Sequence, residues 1–210
     1  MSAQSHPPGG VANMASKELN ILVAGVGGQG NLLASEIIAS AAVREGLKVR
    51  VAEVFGAAQR GGAVVSHIRI GPTVYSPLIS EGQADIVLGF EPVECLRTAK
   101  FLSSVTTIIM NASPVIPVSV SLGLTTYPDY NATLELLRRL TSNVIAIDAT
   151  DLAKKAGHAM MMNVVMVGAL AGANLTPIAT ERFTDAISSI VRKGAEAMNH
   201  KAFEYGINAI

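Results

Sequence analysis

The sequence contains a single cysteine, Cys95, and no tryptophan in 210 residues. One thiol cannot form a disulfide within the chain, hold an iron–sulfur cluster or build a cysteine-rich zinc site. His6, His158 and His200 are scattered along the sequence and form no metal-ligand motif. We therefore expect no metal site on this chain, and we interpret Cys95 as a small buried hydrophobic residue.

The chain also lacks an excess of charge of either sign. Sixteen Lys and Arg residues balance sixteen Asp and Glu residues, a composition that predicts neither nucleic-acid binding nor attraction to an anionic membrane. The longest apolar run, 160–173, is too short to span a bilayer and is interrupted by Asn163. Residues 1–17 lack the basic start and apolar centre of a signal peptide, so we interpret them as a flexible tail and expect a cytoplasmic protein.

Half of the residues are hydrophobic, which is enough for the core of a single domain over 18–210. Apolar runs alternate with helical segments, beginning with a strand at 19–26 and a helix at 31–45. Residues 63–70 alternate in polarity and, with the turn that follows, predict a hairpin that returns over 74–80. The pattern predicts an α/β, Rossmann-like domain, with a mostly parallel sheet, helices on both faces and an inserted β-hairpin.

The segment GVGGQGN, residues 25–31, joins the first strand to the first helix. Gly25, Gly27 and Gly30 match G-x-G-x-x-G, whose glycines allow a tight turn and let an anion approach free amides at a helix start. Glu53 ends the second strand roughly 20 residues on, where dinucleotide-binding folds place a ribose-binding acid. The arrangement predicts a dinucleotide site. The alternative is that the glycines only allow strand, turn and helix to pack closely.

Two features oppose a nicotinamide enzyme. The loop carries Gly28 and Gln29, and a glutamine can donate a polar contact that dinucleotide folds do not require. No second segment supplies an evident acid or base for hydride transfer, and His67 has no visible acid to orient it, so we interpret it as a packed or interface histidine. Asn31, directly after the loop, can cap the helix or reach a ligand.

Two further candidates follow predicted strands. Glu91 follows the strand 84–90 and Asn111 lies at the end of the strand 106–112, and ligands bind at the carboxyl ends of parallel strands. We interpret both, together with Glu53, as candidates for lining a cleft. The alternative is that they are helix-start and turn residues.

A second motif, AQRGGAVVSHIRIG, places Gln59 and Arg60 in a loop with glycines on either side. Arg60 can clamp a phosphate or a carboxylate with a two-pronged contact, or it can contact a partner subunit or shape the loop. Gly61 and Gly62 permit a tight exit into the next strand. We favour a role for this loop at a subunit interface near an active site.

Together, the two motifs resemble the γ-domain family of the 2-oxoacid:ferredoxin oxidoreductases. The segments MNVVMVGAL at 162–170 and NHKAFEYG at 199–206 resemble the same family, so the resemblance extends from about residue 20 to the end. In the indolepyruvate type, the γ domain is a separate small subunit, usually called β, and the chain resembles that subunit most. Asn31 departs from the family pattern, in which an aliphatic residue is expected.

The resemblance implies a reaction whose chemistry lies on another chain. These enzymes decarboxylate a 2-oxoacid, here an aryl one, on thiamine diphosphate, pass electrons through 4Fe-4S clusters to ferredoxin and release an acyl-CoA. Thiamine diphosphate, its Mg and the clusters are then expected on a larger partner subunit. This chain would hold no catalytic residue, bind no cofactor alone and be inert alone, although CoA can bind at the interface.

Two alternatives to this function remain. The chain can be a free-standing oxidoreductase that binds NAD or FAD, which the glycine loop and Glu53 support. It can also be a non-catalytic scaffold subunit with an empty loop. Under the resemblance, the residues of the two loops are ligand or interface residues: Gly25, Gly27, Gly28, Gln29, Gly30, Asn31, Gln59, Arg60, Gly61 and Gly62.

Overall fold

The computed structural model describes residues 18–55, 62–116, 120, 122–124 and 126–210. The strands in these residues are β1 (Leu19–Val26), β2 (Val49–Phe55), β3 (Ala63–Ile70), β4 (Ile86–Gly89), β5 (Thr107–Asn111) and β6 (Asn143–Ile147). The helices are α1 (Asn31–Arg44), α2 (Pro92–Arg97), α3 (Tyr130–Leu140), α4 (Ala149–Ala156), α5 (Met162–Gly172), α6 (Thr180–Ile190) and α7 (Glu196–Ile207). None of the described helices is long and apolar enough to cross a membrane.

The strands form one sheet in the order β2-β3-β1-β4-β5-β6. β1, β4, β5 and β6 are parallel to one another, whereas β3 is antiparallel to both β1 and β2. All four residues of β4 and the last six of β1 are buried, because helices cover both faces of these central strands. The predicted α/β domain with a mostly parallel sheet is therefore confirmed.

The inserted hairpin differs from the prediction. β3 pairs with β2 and not with a strand over 74–80, where no strand forms. That segment is instead held by side chains of β3: His67 Nδ1 accepts from the amide of Ile79 at 3.1 Å, and Arg69 donates to the carbonyl of Ser76 at 3.0 Å. Pro77 has no amide hydrogen, so it cannot donate to a sheet ladder there.

The two faces of the sheet bury separate clusters of apolar side chains. Ile21 and Val23 of β1 pack with α1, α5, α6 and α7, whereas Leu22 packs with α2 and α3 on the other face. α5 is buried from Met162 to Ala171 and crosses α7 at glycines. α5 can therefore hold a fixed position behind the carboxyl end of β1.

Candidate functional site

The glycine loop turns tightly between β1 and α1. Gly28 and Gly30 have φ of +98° and +81°, a left-handed conformation that costs an L side chain about 1–2 kcal/mol. Gly25 needs the absence of a side chain for another reason, because a Cβ there would lie 2.6 Å from Oε1 of Gln29 and 2.9 Å from Oδ1 of Asn31. Close packing within the chain thus explains Gly25, and backbone conformation explains the other two.

Gln29 folds back onto the protein. Its Oε1 accepts from the amide of Val26 at 2.8 Å, and its Nε2 donates to the carbonyl of Phe90 at 3.1 Å. The side chain therefore ties the end of β1 to the residue after β4. This contact is internal, and it explains why the loop carries a glutamine that a dinucleotide site does not require.

Asn31 opens α1 without capping it. Its Nδ2 donates to the carbonyl of Val64 in β3 at 3.1 Å, while its buried Oδ1 has no hydrogen-bond partner among the described residues. The N-cap of α1 is Gly30, which offers no side chain to the first turn. The first-turn amides of α1 have no intrahelical acceptor, and none of them has a hydrogen-bond partner among the described residues.

The two loops predicted from the sequence meet. The amide of Gly27 donates to the carbonyl of Gly62 at 2.9 Å, so the exit of the second motif lies against the glycine loop. Gln59, Arg60 and Gly61 lie outside the described residues, and their roles stay predictions.

A pocket of about 310 Å³ lies beside the glycine loop. Gly28 and Gly30 form one wall. Asn163 in the first turn of α5 and Arg192 after α6 contribute polar groups from the other side, next to Met160. The Nδ2 of Asn163 donates to the carbonyl of Gly30 at 3.3 Å. The loop is thus held by Asn163 of α5, and Arg192 lines the same pocket.

Asn163 and Arg192 were not among the residues predicted from the sequence. Asn163 interrupts the apolar run 160–173, and a buried polar side chain in such a run is a signal that could have identified it. Arg192 gives no comparable signal, because an exposed arginine after a helix is common. Only the fold brings both side chains to a loop that lies more than a hundred residues earlier.

Glu53 does not lie beside the glycine loop. In a dinucleotide-binding fold the second strand adjoins the first, but here β3 separates β2 from β1. The insertion moves the acid outward by about 5 Å, one strand spacing. Glu53 instead lines a groove with Leu32 and Val51. The geometry therefore places Glu53, one of the two features that supported the NAD or FAD hypothesis, two strands away from β1.

Glu91 is buried at the start of α2. One carboxylate oxygen accepts from the amide of Glu94 at 2.8 Å, and the other accepts a short hydrogen bond from the hydroxyl of Tyr127. Burial, together with the bond to the Glu91 carboxylate and its charge, raises the pKa of Tyr127. These contacts are those of a helix-start residue, which was the alternative to a cleft-lining role.

Asn111 links three strands at their carboxyl ends. Its Nδ2 donates to the carbonyl of Phe90 at 3.2 Å and to Oγ1 of Thr150 at 3.0 Å. Gln29 donates to the same carbonyl. The side chain is 1% exposed, so its polar groups are used within the protein, as expected for a turn residue.

The remaining sequence candidates are packed inside the protein. His67 is buried with its ring edge-on to Phe101, and burial, with a smaller effect from the charge of Lys100, lowers its pKa. Cys95 is fully buried, and burial raises the pKa of its thiol to about 12. Among the described residues, no three His, Cys, Asp or Glu side chains form a group that could hold a metal ion.

Comparison with known proteins identifies close relatives along almost the whole chain. Residues 20–209 match the family "Pyruvate ferredoxin/flavodoxin oxidoreductase". Indolepyruvate oxidoreductase subunit IorB of Archaeoglobus fulgidus is 46% identical over 190 residues, covering 90% of this chain and 94% of the relative. The protein of the same name from Pyrococcus horikoshii is 41% identical over 198 residues, covering 92% and 96%.

Solved structures share the fold. The γ subunit of a keto/oxoacid ferredoxin oxidoreductase from Geobacter sulfurreducens is 25% identical with a TM-score of 0.65, covering 91% of this chain and 97% of that chain. Pyruvate oxidoreductase subunit PORC of Thermotoga maritima is 22% identical with a TM-score of 0.68, covering 92% and 97%. A 2-oxoglutarate:ferredoxin oxidoreductase from Magnetococcus marinus is 23% identical with a TM-score of 0.70, and the match covers 92% of this chain but 31% of that longer chain.

Proposed function

Because the chain belongs to the pyruvate ferredoxin/flavodoxin oxidoreductase family, we propose that it is the small subunit of an indolepyruvate-type 2-oxoacid:ferredoxin oxidoreductase. The assembled enzyme oxidatively decarboxylates an aryl 2-oxoacid to an acyl-CoA and reduces ferredoxin. The observation that carries the proposal is the identity of 41–46% with proteins that are named as separate subunits of an indolepyruvate oxidoreductase.

We assign the thiamine diphosphate, its Mg and the 4Fe-4S clusters to a larger partner subunit. Thiamine diphosphate supplies the carbanion chemistry of decarboxylation, and the clusters carry the electrons. The described residues of this chain do not fit either group, because its one thiol is buried and its acidic side chains do not gather with other ligands. In this proposal the small subunit shapes the site, and the reacting groups lie on the partner subunit.

We further propose that the pocket beside the glycine loop holds an anionic part of a substrate at the subunit interface, with CoA as the substrate that carries phosphates. The uncapped first turn of α1 favours negative charge. Arg192 lines this pocket and forms no salt bridge among the described residues.

Purification of the tagged chain with its partner tests the function. We expect a larger subunit that contains iron and thiamine diphosphate, and indolepyruvate- and CoA-dependent reduction of ferredoxin by the complex but not by the chain alone. A lone chain that carries bound NAD or FAD would contradict the proposal. A complex in which the larger subunit alone has full activity would favour the scaffold alternative.

Substitution of Arg192 tests the pocket. We expect Arg192→Ala to raise the KM for CoA about tenfold, as loss of one charged hydrogen bond to a phosphate should, with kcat at saturating CoA nearly unchanged. Lys193→Ala is the matched control, because Lys193 is exposed beside Arg192 but does not line the pocket. Equal KM values for CoA in both variants would mean that CoA does not bind in this pocket. That result would not affect the proposal that the chain is the small subunit of an indolepyruvate-type oxidoreductase.

A further inference from the structure

β2 leaves one edge of the sheet unpaired. Among the described residues it pairs only with β3, so its outer backbone N–H and C=O groups have no ladder partner. Proteins usually protect such an edge by shortening, charging or covering it. β2 instead has large exposed apolar side chains: Val51, Val54 and Phe55 are 39%, 49% and 60% exposed. An edge of this kind needs a cover.

A groove runs between this edge and the outer face of α1, and we call it the β2–α1 groove. Its volume is about 650 Å³. β2 contributes Val51 and Glu53. Helix α1 contributes a stripe of residues that are spaced four, three and four positions apart and therefore lie on one face of the helix. These residues are Leu32, Glu36, Ala39 and Val43.

We propose that a second copy of this chain covers the groove, with β2 pairing antiparallel to β2 of the copy around a two-fold axis. A two-fold axis perpendicular to the sheet keeps each side chain on the same face of the sheet in both copies. The residue through which the axis passes therefore lies opposite the same residue of the other copy. Ala52 is the middle residue of β2. With the axis at Ala52, all seven residues of the strand are paired, whereas an axis at Glu53 would oppose two carboxylates.

The same axis brings the two α1 helices together in antiparallel orientation. The stripe has its large apolar residues at the ends and a small one near the middle, so Leu32 of one copy meets Val43 of the other, and Ala39 allows close approach. In this packing a hydroxyl group meets a carboxylate. Arg44 lies beside Ser40, with its Nε 3.4 Å from Oγ, and in this packing Ser40 faces Glu36 of the other copy. Glu36 forms no salt bridge within the part of the chain that the structure describes.

The exposed apolar area agrees with the size of such an interface. Leu32 and Val43 are 49% and 60% exposed, and with Val51 and Phe55 they expose roughly 400 Å² of apolar surface, within the roughly 300–600 Å² of the largest apolar patch on a typical monomer, which is often functional. One side of a standard interface buries about 800 Å², of which a little more than half is apolar. The groove and the neighbouring Phe55 of β2 thus expose about the apolar area that one side of a standard interface buries.

This inference goes beyond the proposed function and does not depend on it. The glycine loop and its pocket lie at the carboxyl ends of the strands, whereas the β2–α1 groove follows the side of the domain. A dimer through the groove therefore leaves the pocket open for a larger subunit, and the assembled enzyme would contain two small subunits in contact.

Cysteine cross-linking tests the axis directly. Directly opposed residues of antiparallel strands have Cα atoms about 4.5–5.5 Å apart, within the range that a disulfide spans. We expect Ala52→Cys in the full chain to form a disulfide-linked dimer under mild oxidation. Arg50→Cys is the control, because its two copies would lie roughly 14 Å apart. Native Cys95 is fully buried and does not compete.

Light scattering of the full chain tests the interface. We expect the wild type to have about twice the mass of one chain, and Val43→Arg and Val51→Arg each to weaken the dimer at least tenfold. Val105→Arg, at a residue 74% exposed outside the groove, should leave the dimer intact. A monomeric wild type, a dimer that survives both groove variants, or equal cross-linking of the two cysteine variants would overturn the proposal. The proposal would also be overturned if β2 were protected from hydrogen exchange only when a larger subunit is present. That result would assign the groove to the larger subunit.

Discussion

Replacing Gly30 by alanine tests how α5 holds the glycine loop. Gly30 has a φ of +81°, and a Cβ there would overlap Nδ2 of Asn163. The left-handed conformation should cost an alanine about 1–2 kcal/mol, and forcing an atom into packed space costs about 1–3 kcal/mol more. We therefore expect Gly30→Ala to lower the free energy of unfolding by about 2–5 kcal/mol.

Gly28 offers a matched control within the same loop. Its φ is +98°, but a Cβ there would meet nothing within 4 Å. Gly28→Ala should therefore lose only the conformational contribution, about 1–2 kcal/mol. The difference between the two variants isolates the overlap with Asn163.

A double variant removes the overlap. Asn163→Ala alone loses one hydrogen bond to the carbonyl of Gly30 and should cost about 1 kcal/mol. In the Asn163→Ala background, Gly30→Ala should lower the free energy of unfolding by no more than Gly28→Ala lowers it in the wild type. Such non-additivity is expected of residues in contact. Urea denaturation followed by circular dichroism, at one protein concentration for all variants, measures these differences. Equal losses for Gly28→Ala and Gly30→Ala in the wild-type background would refute the reasoning.

Three further predictions concern the core, the pH response and the second loop. Gly206→Ala should lower the free energy of unfolding by about 3 kcal/mol, because its Cβ would overlap the carbonyl of Val165 where α7 crosses α5; an unchanged denaturation midpoint would contradict this close crossing. The pKa of His67 is lowered in the folded chain, so the unfolded chain binds the extra proton first and the free energy of unfolding should fall as pH drops below about 6.5. His67→Gln should reduce the dependence of the denaturation midpoint on pH between pH 7 and 5. An unchanged pH dependence would show that His67 is not the group responsible. Arg60→Ala should lower turnover of the assembled enzyme without unfolding the subunit; full activity in the complex would remove Arg60 from the site.

Local patterns predicted the elements that local forces determine. The run LNILVAGV is apolar throughout and ends in glycine, which is typical of a strand covered on both faces, and β1 forms there. The glycines and the helix that follows were predicted for the same reason, since tight turns and helix starts depend on a few neighbouring residues. The family resemblance also came from two short motifs, and Gly27 and Gly62 join those motifs by a hydrogen bond.

The neighbours of β3 could not be predicted in the same way. Alternation over 63–70 indicates a strand but carries no information on which strands lie beside it. The segment 74–80 was the nearest candidate in sequence, yet β3 lies between β1 and β2. That choice depends on the packing of the whole sheet, and it moves Glu53 away from the loop that it was expected to serve.

The α/β class and the strand–loop–helix unit at the glycine loop could be predicted from the residue pattern alone, and the family was indicated by the resemblance of several motifs. The first two follow from residues that are close together in the chain, where periodicity and backbone freedom act, whereas the resemblance rests on motifs that lie far apart in the chain. Three features depend on the packing of the whole domain: Gln29 and Asn111 share the carbonyl of Phe90, Asn163 supports Gly30, and β2 is the edge strand of the sheet among the described residues. These contacts join residues far apart in the chain, and only the packing of the sheet and helices brings them together.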